Sequence, residues 1–108
     1  MDDSIFVKTF GNYPLIRVLD FLIEHREFDY PQTDIAKKAN VNFATLKTVW
    51  PQASKLLVCT RRVGNAQMYK LDVENPIVKK LIELDNFLSK QYSEQILKEQ
   101  SKSVAATS

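Results

Sequence analysis

Between Pro31 and Lys70 lie seven basic residues, Lys37, Lys38, Lys47, Lys55, Arg61, Arg62 and Lys70, against a single acid, Asp34, a local net charge of +6. The remainder carries eight basic and twelve acidic residues, a net of −4, so the overall charge of +2 conceals a partition. A basic stretch in an otherwise acidic chain is the footprint of a polyanion-binding face. The competing reading is a solvated surface with scattered charge. Groups able to read a nucleic acid are interleaved with the cations: Asn42, Phe43, Thr45, Thr48, Asn65 and Gln67. Hydroxyls and amides can hydrogen-bond base edges or phosphates, and an aromatic ring or threonine methyl can touch a thymine methyl. Lys47 suits a phosphate or a guanine edge, whereas Lys37, Lys38 and Lys55 suit phosphates and carry no base preference. Five or six such contacts predict that log K falls against log salt with a slope of roughly −5.

Other chemistries find little material. The one cysteine, Cys59, excludes an internal disulfide and a multi-cysteine zinc site. The one histidine, His25, argues against a histidine metal cluster or a Ser-His-Asp triad. There is no phosphate loop, no pair of carboxylates in a basic pocket and no nucleophile beside a base. No enzymatic activity, metal or cofactor is expected. No apolar run approaches the roughly 18 residues that span a bilayer, and the acidic start MDDSIFVK lacks a secretory pattern, so a cytoplasmic protein without membrane contact is expected.

The elements that must position these groups follow from periodicity. Two glycines in 108 residues favour helices over a turn-rich β fold. Residues 5–10 alternate weakly and end at Gly11, a pattern open to a short strand or an ordered arm. Pro14 opens a helix in which Leu15, Val18, Leu19 and Leu22 form a stripe that Ile16 and Ile23 broaden, so burial on more than one side is expected. His25 falls in its last turn, and Phe28 and Tyr30 are expected to plug the core. A short helix opens at residues 31–34 and stops at Asn40, which tolerates the left-handed conformation needed to reverse the chain.

Asn42 then caps a third helix and turns free backbone N–H groups outward as a phosphate seat. Its inward face is Leu46, Val49, Trp50, Ala53 and Leu56 or Leu57, which leaves Phe43, Ala44, Thr45, Lys47, Thr48 and Gln52 outward. Phe43 has two readings, base contact and half-buried packing. Pro51 predicts a kink near Val49 and Trp50, since an interior proline costs about 3 kcal/mol. The runs 57–63 and 66–71 flank Gly64-Asn65 as a tight hairpin. The expected register pairs Val63 with Ala66, Arg62 with Gln67 and Thr60 with Tyr69, and so sets Arg61 and Arg62 on opposite faces. Asn75 and Pro76 start a last helix with a seam of Ile77, Leu81, Leu84 and Leu88, extended by Tyr92 and Ile96 and flanked by Val78, Ile82 and Phe87. One domain is expected over residues 1–98, with a core about 14–73, a last helix about 76–98 and a flexible tail at 99–108.

Three helices, a basic hairpin and a long helix make a mainly α fold with a small β-hairpin, the winged helix-turn-helix arrangement. Residues 33–50, TDIAKKANVNFATLKTVW, resemble the helix-turn-helix of small prokaryotic winged-helix regulators. Thr33, Ile35, Ala36, Ala39, Val41, Thr45 and Leu46 take the positions of that pattern, and Asn42 stands where serine is usual. The hairpin CTRRVGNAQMYKLD resembles the wing of those proteins. The segment PLIRVLDFL, with NPIVK downstream, is similar to archaeal single-domain regulators related to the MarR and ArsR groups. The resemblance covers residues 14 to about 85. It departs at Lys55-Leu56-Leu57-Val58, where such regulators usually have a glycine, so the turn into the hairpin must be made otherwise, for which the Pro51 break is a candidate.

The resemblance implies a sequence-specific, double-stranded-DNA-binding transcriptional regulator, with its third helix in the major groove and its basic wing on the backbone or in the minor groove. The alternative is a winged helix that serves as a protein–protein module in a transcription or replication assembly. The last helix carries more apolar surface than one small domain covers, which predicts a homodimer through Ile77, Leu81, Leu84, Leu88 and Tyr92. Packing against its own chain is the competing use. Cys59 reads by default as a partly buried structural cysteine, and as a redox-sensing thiol if Arg61 and Arg62 lower its pKa. Tyr13, Phe28, Tyr30, Trp50 and Tyr92 are read as core aromatics, and no small-molecule ligand is expected.

Overall fold

The computed structural model describes the backbone of residues 3–107 and the side-chain surroundings of residues 3–98. The elements run α1 (Ile5–Phe10), α2 (Pro14–Glu24), α3 (Gln32–Lys38), α4 (Phe43–Ala53), a 3-10 turn (Ser54–Leu56), β1 (Leu57–Val63), β2 (Ala66–Leu71) and α5 (Pro76–Thr107).

Residues 5–10 are not a strand; the ordered segment here is a helix. The Ser4 hydroxyl accepts the Val7 N–H at 3.2 Å, and Phe6 stacks on Phe10 one turn away with ring centroids 4.9 Å apart. A capping side chain and an i,i+4 aromatic pair outweigh the weak alternation of the sequence. Gly11 ends the helix at φ 101, where the Tyr13 ring would lie 2.5 Å from any added Cβ.

The hub is α2. Its Val18, Leu19, Phe21, Leu22 and Ile23 are all buried, so more than one face is covered, as the broad apolar stripe requires. Around it pack Phe6 of α1, Ile35, Ala36 and Ala39 of the α3 region, Leu46 and Ala53 of α4, Leu71 of β2 and Val78 of α5. Phe28 is 59% exposed and does not plug the core. Tyr30 is half-buried against Phe21, and its backbone pairs with Tyr69 through two N–H···O bonds of 2.8 Å. That single antiparallel bridge adds a rudimentary third strand to the hairpin.

Asn40 reverses the chain at φ 57, and the Val41 N–H then reaches Ala36 O at 2.8 Å. Pro51 does not split α4, which continues through it to Ala53. The proline removes one i to i−4 bond, the one that would reach Lys47 O, and the helix still runs on to close the Ser54 N–H on Trp50 O. The missing glycine is replaced by the 3-10 turn, and the Asp72 N–H closes the far side on Leu56 O at 2.9 Å.

The hairpin keeps its expected register at the tip, with Val63 opposite Ala66 and Arg62 opposite Gln67. It then departs: Arg61 pairs with Met68 and Cys59, not Thr60, with Tyr69. Thr60 is the extra residue of a β-bulge. Asn75 caps α5 by accepting the Ile77 N–H at 2.8 Å. The helix passes residue 98, and the side chains of the expected tail, 99–108, lie outside the described residues.

Candidate nucleic-acid interface

Asn42 Oδ1 accepts the Ala44 N–H at 2.8 Å, which commits one of the N–H groups that open α4. The exposed face of α4 is Phe43, Ala44, Lys47, Thr48, Pro51 and Gln52. Thr45, expected outward, is half-buried beside the fully buried Leu46. Lys47 Nζ sits 5.0 Å from the centre of the Phe43 ring, a cation–π contact one turn along the helix. Phe43 thus remains partly exposed while its ring is anchored. The Thr48 hydroxyl donates to Ala44 O at 3.2 Å and leaves its lone pairs and methyl on the surface.

Across from this face lies the hairpin. A cleft of about 320 Å³ separates the two, floored by Pro31, Gln32 and Thr33 at the start of α3 and walled by Phe43 on one side and Arg62, Asn65 and Gln67 on the other. The cleft therefore unites residues from both predicted sets. Gln32 and Thr33 were missing from the predicted site. Thr33 had matched a helix-turn-helix position, and only the closure of the hairpin over α3 brings it to this edge.

The hairpin is held in place at its base. Trp50 of α4 meets Tyr69 of β2 edge-on with ring centroids 4.9 Å apart, and the Tyr69 hydroxyl donates to Gln67 Oε1 at 2.7 Å. Trp50 is half-buried, packed against the core on one side and Tyr69 on the other. Asp29, in the connection before α3, accepts hydrogen bonds from the Thr60 hydroxyl and from Arg61, whose Nε lies 3.0 Å from Oδ2 and Nη2 3.2 Å from Oδ1. Arg61 and Thr60 hold the Asp29 carboxyl below the ordinary carboxylate range, because both stabilise its ionised form.

Two solved structures share this architecture. The crystal structure of AntR, the antimony-specific transcriptional repressor, superposes with a TM-score of 0.56 at 20% identity, over 83% of this chain and 78% of AntR. MepR, a transcription regulator of the Staphylococcus aureus multidrug efflux pump MepA, superposes with a TM-score of 0.63 at 16% identity, over 94% of this chain and 77% of MepR. The chain has the winged-helix fold. At these identities the likeness is one of architecture. No family profile and no curated protein sequence matches the chain.

Charge on the winged-helix surface is asymmetric. Among the described residues, Lys37, Lys38, Lys47, Lys55 and Arg62 form no ion pair, and all five are exposed. Lys38 lies 5.9 Å from the centre of the Tyr30 ring. Arg61 differs from the rest in being tied to Asp29. Cys59 is exposed on the wing and is not a partly buried structural cysteine. His25 donates from Nδ1 to Phe21 O at 3.0 Å, a helix-end role remote from the cleft.

The apolar seam of α5 is divided lengthwise. Val78 is buried, and Leu81 and Ile82 pack on the core of their own chain. Tyr92 is turned toward α1, with Lys8 Nζ 5.6 Å from its ring centre, and Leu88 is half-buried. Ile77, Leu84 and Phe87 are left outward, Ile77 at 61% and Phe87 at 57% exposure. No helix among the described residues is long and apolar enough to cross a membrane.

Proposed function

We propose that this chain is a sequence-specific regulator of transcription that binds double-stranded DNA as a homodimer, with α4 in the major groove and the wing on the adjacent backbone or minor groove. One observation carries the reading: Phe43 of α4 lines the same cleft as Arg62, Asn65 and Gln67 of the wing, Lys47 sits against the Phe43 ring, and among the described residues neither Lys47 nor Arg62 pairs with a carboxylate. A duplex presents phosphates on both flanks of its groove, so a helix between cationic flanks matches its charge pattern. The AntR and MepR folds, both of transcription regulators, support the same reading. Base contact falls to Phe43, Lys47 and Thr48. Phosphate contact falls to Lys37, Lys38, Lys55 and Arg62, with Asn42, Asn65 and Gln67 assisting.

The pairing surface is the outward stripe of α5, Ile77, Leu84 and Phe87, with Leu81, Leu88 and Tyr92 at its margin. Two-fold pairing would place two α4 helices about one DNA turn apart and select a palindrome. Selection of bound duplexes from a random pool, read with a sedimentation mass, tests both halves. A palindromic consensus, a dimer mass and a salt slope of about −4 to −5 per half-site are expected. Binding that ignores salt, or a failure to retain any duplex at low salt, would remove the DNA reading.

A further inference from the structure

Two arginines stand side by side in the wing, and sequence offers no way to rank them. A regular strand would turn Thr60 and Arg61 to opposite faces. The bulge at Thr60 breaks that alternation, and both side chains reach one carboxylate, Asp29, more than thirty residues earlier in the chain. The side chain of Asp29 is only 17% exposed, while that of Arg61 is 63% exposed, so the carboxylate is set into the body and the guanidinium spans from wing to body. Tyr30, the next residue, pairs its backbone with Tyr69 on the other strand. The connection before α3 therefore grips both strands of the wing at neighbouring points, one by side chain and one by backbone. Arg62 faces the cleft opposite Phe43 and is held by no carboxylate among the described residues.

We infer that Asp29 is a positioning residue for DNA binding: it withdraws Arg61 from the phosphate-binding set, uses it to fix the wing against the body, and leaves Arg62 as the wing cation that meets DNA. This rests on the DNA reading above and assigns unequal roles within that surface. The physical ground is competition. A guanidinium bound through two nitrogens to one carboxylate is already neutralised and releases few counterions on meeting a phosphate. A free one releases about one.

The salt dependence of binding to a selected duplex separates the roles. Arg62→Ala should make the log–log slope shallower by about one. Arg61→Ala should weaken binding severalfold through a looser wing and leave the slope unchanged. Asp29→Asn should free Arg61 and steepen the slope by about one, an effect that mere structural damage does not produce. A second readout needs no DNA: amide hydrogen exchange across residues 57–71 should quicken by about fivefold in Asp29→Asn and in Arg61→Ala, but not in Arg62→Ala. Equal loss of slope from the two arginine variants would overturn the assignment, as would unchanged exchange in Asp29→Asn. If the native chain binds no duplex, the DNA reading fails and the positioning role falls with it, while exchange alone decides whether the clamp exists.

Discussion

Asn42 and Phe43 show how one residue's chemistry is set by its neighbours. Asn42 accepts the Ala44 N–H, so Asn42→Ala should destabilise the fold by about 1 kcal/mol, read as a shift in the urea midpoint at constant slope. An unchanged midpoint would mean that the cap contributes nothing. Phe43 presents a partly exposed ring that offers no hydrogen bond, held by Lys47 above it. In a major groove the complementary feature is the thymine methyl. Replacing thymine by deoxyuridine at the base step facing Phe43 should therefore weaken binding about threefold to tenfold in native protein and have little effect in Phe43→Ala. Equal sensitivity of both proteins would rule out that contact.

At the scale of elements, the placing of α4 depends on one fully buried side chain. Leu46 is inaccessible to solvent at the centre of its inward face. Leu46→Ala should cost about 3 kcal/mol in chemical denaturation, the transfer term plus an unfilled cavity. The junction of α1, α2 and α5 is governed by charge. Burial pushes the carboxyls of Asp20, Glu24 and Asp85 upward, and repulsion from Asp20 adds to the shift of the other two. A carboxyl raised in the folded state opposes folding while ionised, and is relieved as pH falls through its raised value. Asp29 works in the opposite sense: its lowered carboxyl supports the fold above the ordinary range, and that support disappears as pH falls through the lowered value. Acidification from neutrality should thus first stabilise the protein and then, below the ordinary carboxylate range, destabilise it. Asp85→Asn should raise the urea midpoint at neutral pH and flatten the rise that acidification otherwise brings, with solvent screening holding the gain below about 1 kcal/mol. A lower midpoint at neutral pH would contradict this account.

For the whole molecule, the decisive feature is a helix far longer than the body it packs on. Thirty-two residues of α5 extend about 48 Å, and the molecule measures 63 Å in its longest dimension against 28 and 21 Å in the others. One face of the first turns joins the core through Val78, Leu81 and Ile82, while Ile77, Leu84 and Phe87 stay outward. Leu84→Glu combined with Phe87→Glu should leave the helical circular dichroism and thermal transition of the body in place and shift the sedimentation mass from dimer to monomer. DNA selection with that variant should return single half-sites with weaker retention. A dimer that survives both charges would place the pairing surface elsewhere.

Local signals in the sequence determined the elements that are short-range by nature. Asn40 reverses the chain, Asn42 and Asn75 cap, Pro14 and Pro76 open helices and Gly64 turns the hairpin, because each acts within four residues of itself. The apolar periods of α2 and α4 and the basic segment between Pro31 and Lys70 were equally legible. Only the tertiary structure decided which groups meet. The pairing of Asp29 with Arg61 and the bridge between Tyr30 and Tyr69 join residues some thirty to forty positions apart, for which spacing carries no signal, and the bulge at Thr60 departs from the register that the two-residue turn by itself predicts. The helix at residues 5–10 was obscured because six residues are too few for periodicity to outweigh a weak alternation. The division of the α5 seam likewise required α1 and α2 in place, since an apolar stripe records that a face is buried and not what buries it.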